Sequence, residues 1–264
     1  MNSVIDIGWL QLGMFSLMAL IPLYISSHYR LYLGKEIIIA LIRMGIQLFL
    51  VGLYLEYLFG LNNLVVNTLW LILIVFIGAS SILSRAQLPH SRLILPLFLA
   101  LLQGLLPVLL IFCVFIVKPV PLYSAQYMIP VAGMLMGNSL SGNIIVLQNL
   151  FTAFEERKDE YEAAISLGAS PRYAARPFIK SAMQKASAPI LASMTTIGLV
   201  TLPGMMTGQI LGGTSPIIAI KYQFVMMIAI FVVLNLSMVF SVEYLFKVIV
   251  NQEGRVLTRF KSHN

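Results

Sequence analysis

Residues Leu93 to Val117 read LILPLFLALLQGLLPVLLIFCVFIV, a run without one charged side chain. Wound as a helix at about 1.5 Å per residue, such a run is about 37 Å long, enough to cross the roughly 30 Å of hydrocarbon in a bilayer. It has no sustained period-2 alternation and is about twice the length of a membrane strand, so helix is the only spanning form it fits. Six further stretches repeat the pattern: Ile5 to Ile25, Ile37 to Tyr57, Leu64 to Leu83, Tyr127 to Gln148, Ser187 to Ile210 and Ala219 to Phe246. The predicted fold is therefore an all-α polytopic bundle of about seven spans, one membrane domain over residues 1–264. Gly, Asn and Thr in the fifth and sixth spans leave open whether either is broken. The whole composition agrees: 59% of the 264 residues are hydrophobic and 10% charged, where a soluble chain has about 25% charged.

The placement of charge gives the orientation. The leader MNSVIDIGW has Asp6 but no Lys or Arg, so the first span reads as a retained helix rather than a signal peptide, its N-terminus outside. Seven crossings then put residues 26–36, 84–92, 149–186 and the tail 247–264 in the cytoplasm. Fifteen Lys and Arg fall there or at the inner ends of spans, and only Lys118 and Lys221 fall outside, as the positive-inside rule requires. The net charge of +7 thus reports topology and contact with anionic lipid headgroups. No soluble basic face interleaved with aromatics exists, which excludes a nucleic-acid partner. The lone Cys113 excludes an intrachain disulfide and a cysteine metal cluster.

The one sizeable cytoplasmic element is 151–186, where charge becomes dense. Helix formers run from Glu155 to Leu167, with Phe154, Tyr161, Ala164 and Ile165 able to share a face. Gly168 ends that helix, Ser170 suits an N-cap and Pro171 a first helical position, so Arg172 to Ala186 reads as a second helix running into the sixth span. Such an element is either an ordinary polar loop or a docking surface fixed rigidly to the membrane. No GxxxxGK[ST] phosphate loop is present, so any nucleotide-driven work needs a separate subunit.

Glu162, Ala163, Ala164 and, after three more residues, Gly168 resemble the EAA…G signature of ABC-transporter permeases; Phe178 to Ser181 depart from that pattern's common I-x-L-P ending. Over a wider span, Arg43 to Gly52 (RMGIQLFLVG), Pro130 to Asn143 (PVAGMLMGNSLSGN), Glu162 to Arg176 (EAAISLGASPRYAAR) and Thr195 to Pro216 (TTIGLVTLPGMMTGQILGGTSP) resemble the FetB family of small permeases, the membrane half of an iron exporter whose ATPase is FetA. The resemblance implies a multi-pass subunit of the bacterial inner membrane, working with a second copy of itself and a FetA-like ATPase. ATP and magnesium would bind that ATPase, with no cofactor on this chain, and the cargo would be a metal ion. It makes Tyr161, Glu162, Ala163, Ala164, Gly168 and Arg172 the ATPase-coupling candidates.

Polar side chains at membrane depth mark the candidate pathway. Arg43 and Gln47 are four apart on one helix face, and Arg43 reads equally as a headgroup anchor. Asn138 and Asn143, among Gly133, Gly137 and Gly142, serve either helix contact or substrate. Pro203 and Gly204 predict a kink or unwinding around Thr201 to Thr207, presenting Met205, Met206 and Gln209 beside freed carbonyls. Thioethers favour soft ions, yet methionine also fills gaps in helices that repack. Glu243 and Lys247, four apart, read as a structural pair. The histidines, His28, His90 and His263, build no metal cage.

Together with these features, the resemblance implies a non-catalytic permease subunit that exports iron or a related metal. The alternatives are a secondary transporter or channel, for which no titratable relay or inverted repeat is evident, and a structural membrane subunit. An intramembrane enzyme lacks HExxH and any histidine able to activate a nucleophile.

Overall fold

The computed structural model describes residues 7–251 together with Arg255 and Val256. Every regular element among them is a helix: α1 (Trp9–Ser16), α2 (Leu20–His28), α3 (Gly34–Leu61), α4 (Leu64–Arg85), α5 (His90–Ile111), α6 (Ala125–Glu156), α7 (Lys158–Ser166), α8 (Pro171–Thr196), α9 (Gly204–Leu211) and α10 (Pro216–Ile249). A 3₁₀ turn at Leu17–Ala19 joins α1 to α2, and α5 continues as a π-helical stretch over Phe112–Val117. Asp6, Arg259, Lys261 and His263, with most of the tail 247–264, lie outside the described residues.

Six helical stretches are long and apolar enough to cross a membrane: Trp9–His28, Gly34–Leu61, Leu64–Arg85, His90–Val117, Ala125–Glu156 and Pro216–Ile249. The protein is an all-α, multi-span membrane bundle. The stretch Ser187 to Ile210, whose continuity the sequence left open, is broken: no single helix runs through it. Helix α8 stops at Thr196, where the N–H groups of Leu199, Val200 and Thr201 all turn back to the Thr196 carbonyl at 3.2, 3.0 and 3.3 Å. Gly198 supplies the positive φ of 85° that this tight reversal needs. Pro203 then stands at the N-cap of α9, with its missing N–H and extended ψ of 144° outside the helix. The break is therefore Ile197 to Pro203, overlapping the predicted Thr201 to Thr207 and starting four residues before it. The fifth predicted span is unbroken and runs on to Glu156, so the first hairpin helix begins only at Lys158 rather than Glu155.

The body is made by α4, α5, α6 and α10. At its centre glycines let helices close up: a Cβ on Gly104 would sit 2.9 Å from the Ser237 backbone nitrogen, and one on Gly142 would run into the Leu234 side chain. Close approach through small residues is the main source of helix association where lipid removes the hydrophobic drive. Fully buried Asn143 bridges the same seam, donating to the Ser139 carbonyl (2.9 Å) and Ser237 Oγ (2.8 Å) while accepting from Ser241 Oγ (2.9 Å).

The ends of the bundle are equally defined. At one end Gln148 Nε2 donates to the Arg85 carbonyl at 2.9 Å, and Arg172 of α8 pairs with Glu243 of α10 at 2.8 Å. At the other, the Ala125 N–H donates to Asn62 Oδ1 and Asn67 Nδ2 to the Tyr123 carbonyl. The segments 84–92, 149–186 and the end of α10 thus share one end.

Candidate functional site

At the first of these ends, α7 and α8 form a tight helical hairpin. Gly168 takes φ +89°, the left-handed value that ends α7. Its N–H donates to Ile165 and that of Ala169 to Ala164, closing the turn. Ser170 then caps α8 by accepting from the Tyr173 N–H at 3.4 Å, and Pro171 opens the helix.

An aromatic cluster holds the hairpin to the bundle. Tyr161, 2% exposed, stacks edge-on against Phe154 of α6 (5.3 Å between centroids) and leans on Phe178 of α8 (6.4 Å). Arg157 lies 4.7 Å over the Phe178 ring while forking onto Glu160 at 2.6 and 2.8 Å. Burial raises the Tyr161 pKa above the ordinary phenol value, and its hydroxyl has no partner. Lys185 Nζ, further along α8, bonds Asn149 Oδ1 of α6 at 3.0 Å. The expected Glu243–Lys247 pair is corrected here: Glu243 takes Arg172, and Lys247 lies over the Tyr244 ring. The longer-range partner wins because the start of α8 rests beside the last turns of α10.

The outward side of the hairpin differs. Glu162, Ala163 and Gly168 are exposed and Ala164 is half-buried. Two residues that sequence reasoning passed over dominate this surface: Leu167 is 89% and Tyr173 69% exposed, one on each side of the Gly168 turn. The signal for Leu167 was present, since a residue just before a left-handed glycine at a helix end projects from the tip.

Beyond the break, α9 packs against the start of α10. Met205 rests against the bundle core, Met206 and Gln209 are half-buried, and Thr207 Oγ1 donates back to the Pro203 carbonyl at 3.1 Å. Gln209 Oε1 and Gln223 Oε1 are both enclosed without a hydrogen-bond partner. Gln223 was not singled out from the sequence, where it looks like one polar residue near a span end. The other candidates are scattered: Asn143 is sealed in the central seam, Asn138 is exposed on α6 with its Nδ2 bonded to the Met134 carbonyl, and Arg43 and Gln47 are exposed on α3. Among the described residues, no three or more His, Cys, Asp or Glu side chains group as metal ligands.

Comparison with known proteins fits this architecture. Residues 9–249 match the model of an uncharacterised protein family, UPF0014. The membrane protein YjkA of Bacillus subtilis strain 168 is 33% identical over 81% of this chain and 84% of its own length. Protein ALUMINUM SENSITIVE 3 of Arabidopsis thaliana is 32% identical over 79% and 75%. The "Probable iron export permease protein FetB" of Escherichia coli strain K12 is 28% identical over 95% and 96%. No solved structure matches the chain significantly. With six apolar helices and a family match spanning all of them, this chain is a transport-related, multi-span membrane protein belonging to the UPF0014/FetB family.

Proposed function

We propose that the chain is the permease subunit of an ATP-driven exporter, moving a metal cation out of the cytoplasm of a bacterium through its inner membrane. Two copies would work with two ATPase subunits. The observation that carries the reading is the α7–α8 hairpin: a rigid element, anchored by buried aromatics on one side, that offers Leu167 and Tyr173 on the other. Exposed apolar and aromatic knobs between charged residues are what a partner's cleft would take as anchors. Glu162, Ala163, Ala164 and Gly168 shape that surface, while Tyr161 acts from inside the hairpin.

Coupling follows from the connections. A push on the hairpin travels along α8 to the break at Ile197 to Pro203, and by the Arg172–Glu243 pair to α10. Both routes meet at α9 and the head of α10, where Met205, Met206 and Gln209 line the proposed pathway and Pro203–Gly204 acts as hinge. On this reading the chain crosses the membrane seven times, the polar α8 and α9 together making the sixth crossing, with the positive end of the bundle in the cytoplasm. The names of the FetB and ALUMINUM SENSITIVE 3 relatives favour a hard trivalent or divalent cation as cargo.

The test is ATP-dependent flux of iron and aluminium into inverted membrane vesicles containing this chain and its ATPase. Leu167→Glu should abolish capture of the ATPase and cut flux at least tenfold, with membrane insertion unchanged. Gly168→Val, which forces a branched side chain to φ +89°, should leave capture weakened and ATP turnover no longer linked to flux. Full ATP-dependent flux in Leu167→Glu, or pumping by the chain with no ATPase present, would overturn the reading.

A further inference from the structure

Among the described residues, helices α1 to α3 join the body through the last turns of α3. Helix α3, about 42 Å long at 28 residues, buries a single side chain, Leu58. Leu58 packs with Ala125 and Ile129, Tyr54 lies 4.4 Å from the Trp70 ring, and Asn62 bonds Ala125. All three ties are at the last turns of α3. From there back to Gly34 the helix stands free, and α1 and α2 follow it, α1 burying nothing and α2 only Ser26.

This arm exposes more surface than a compact chain would, and part of that surface is polar. A compact monomer of 29.3 kDa exposes about 11,500 Å², whereas this chain exposes 17081 Å². Even a third of the difference exceeds the roughly 800 Å² per partner of a standard stable interface. The free part of α3 also carries Arg43 and Gln47 on one face, exposed at membrane depth, where a guanidinium and an amide need a polar partner. On the body, α6 has a matching exposed face: Asn138 and Ser141 are exposed, and a Cβ added to Gly133 or Gly137 would touch nothing within 4 Å.

The two faces lie at one depth. Gln47 is about 16 Å along α3 from Leu58, and Asn138 about 14–20 Å along α6 from the Ala125–Ile129 anchor. A two-fold axis along the membrane normal preserves depth, so the arm of one copy can lie on the α6 of another in both directions at once.

We propose that a second copy of this chain covers the arm: α3 of each protomer crosses onto the exposed α6 face of its partner, setting Gln47 against Asn138 and Arg43 against the polar turn below it. The inference rests on the permease reading only for the use of a pair. In that reading it places the contact between protomers on α3 and α6 and leaves α9 and the head of α10 to the pathway. Small residues on α6 permit close approach, and the amide pair gives orientation in a medium without water.

The experiment uses the full-length chain in native membranes with Cys113, 5% exposed, replaced by Ala. Gln47→Cys is placed on one tagged copy and Asn138→Cys on a second, differently tagged copy, and both are co-expressed and treated with a short bis-maleimide. A cross-linked band carrying both tags, seen only when both cysteines are present, is expected. Gly137→Ile, measured without cross-linker by light scattering of protein in lipid nanodiscs, should convert dimer to monomer. Two results would overturn the proposal: a link forming only when both cysteines are in the same chain, which means the arm folds onto its own body, or no link with a monomeric mass, which leaves the arm in lipid. ATPase capture, run on the same membranes, keeps the two readings apart. A chain that links only to itself yet captures ATPase removes the exchanged arm alone, and an inter-chain link without capture removes the ATPase coupling alone.

Discussion

The central seam and the α9–α10 hairpin share one long helix, α10, yet they treat polar groups in opposite ways. In the seam, Asn143 uses both amide hydrogens and its oxygen on Ser139, Ser237 and Ser241, while Gly104 lies against the Ser237 backbone and Gly142 against the Leu234 and Met238 side chains. In the hairpin, Gln209 and Gln223 each enclose an amide oxygen with no partner, and a Cβ added to Gly204 or Gly208 would meet nothing. A satisfied, backbone-tight contact has one arrangement. Enclosed oxygens without a partner and outward-facing glycines leave this hairpin without the constraints of the seam. On the proposed function, the seam would be the fixed frame and this hairpin the part that moves.

The largest effect should come from filling the seam. Gly104→Leu forces a side chain against the Ser237 backbone, which has no rotamer with which to yield, so we expect a loss near the upper end of the ~1–3 kcal/mol typical of overpacking. Thermal unfolding of the detergent-purified protein measures it. Gly208→Ala on α9 is the counterpart: with open space around it, it should gain up to ~1 kcal/mol from helix propensity. Equal losses at both sites would erase the comparison. Next, Asn143→Leu should cost about 1–2 kcal/mol by stranding the Ser241 hydroxyl, and adding Ser241→Ala should recover part of it. A neutral Asn143→Leu would mean that the seam is held by packing alone.

The apolar spans were legible because each carries its own evidence: Leu93 to Val117 needs no neighbour to be read as a crossing. The hairpin turn was legible for the same reason, since Gly168, Ser170 and Pro171 act through local backbone geometry. The break in Ser187 to Ile210 was legible at Pro203, which acts through its own missing N–H, but its start was not, because Gly198 and the triple return onto Thr196 open it before Thr201. Partners distant in sequence were invisible. Glu243 reads as a mate for Lys247 by spacing, and only the docking of α8 against α10 brings Arg172 to it. Gln223 gives no local signal at all, because its meaning lies in what fails to reach its oxygen.

Gln223→Leu sharpens the comparison from the side of the α9–α10 hairpin. Removing an enclosed oxygen that has no partner relieves a desolvation cost, so stability should stay level or rise by less than ~1 kcal/mol. If the oxygen serves a passing cation, metal flux should fall severalfold in the same protein. Stability and flux moving together would make Gln223 an ordinary packing residue, and the hairpin would then resemble the seam.

The smallest effect belongs to Tyr161, whose hydroxyl is also buried and unpartnered, but in the hairpin outside the spans. Its pKa is raised by burial. The phenolate is therefore disfavoured in the folded protein, and the stability held by the neutral ring is complete below the ordinary phenol value of about 10. It declines as pH rises from there through the higher folded value, because the unfolded chain loses its proton first. Tyr161→Phe should keep the ring contacts with Phe154 and Phe178, change stability by no more than a few tenths of a kcal/mol at about pH 7–8, and flatten the alkaline decline in a melting series above about pH 10. ATPase capture should be unaffected, since the hydroxyl faces inward. A loss of capture with the fold intact would put Tyr161 on the docking surface and make this orphaned group, like those of Gln209 and Gln223, one that waits for something outside the chain.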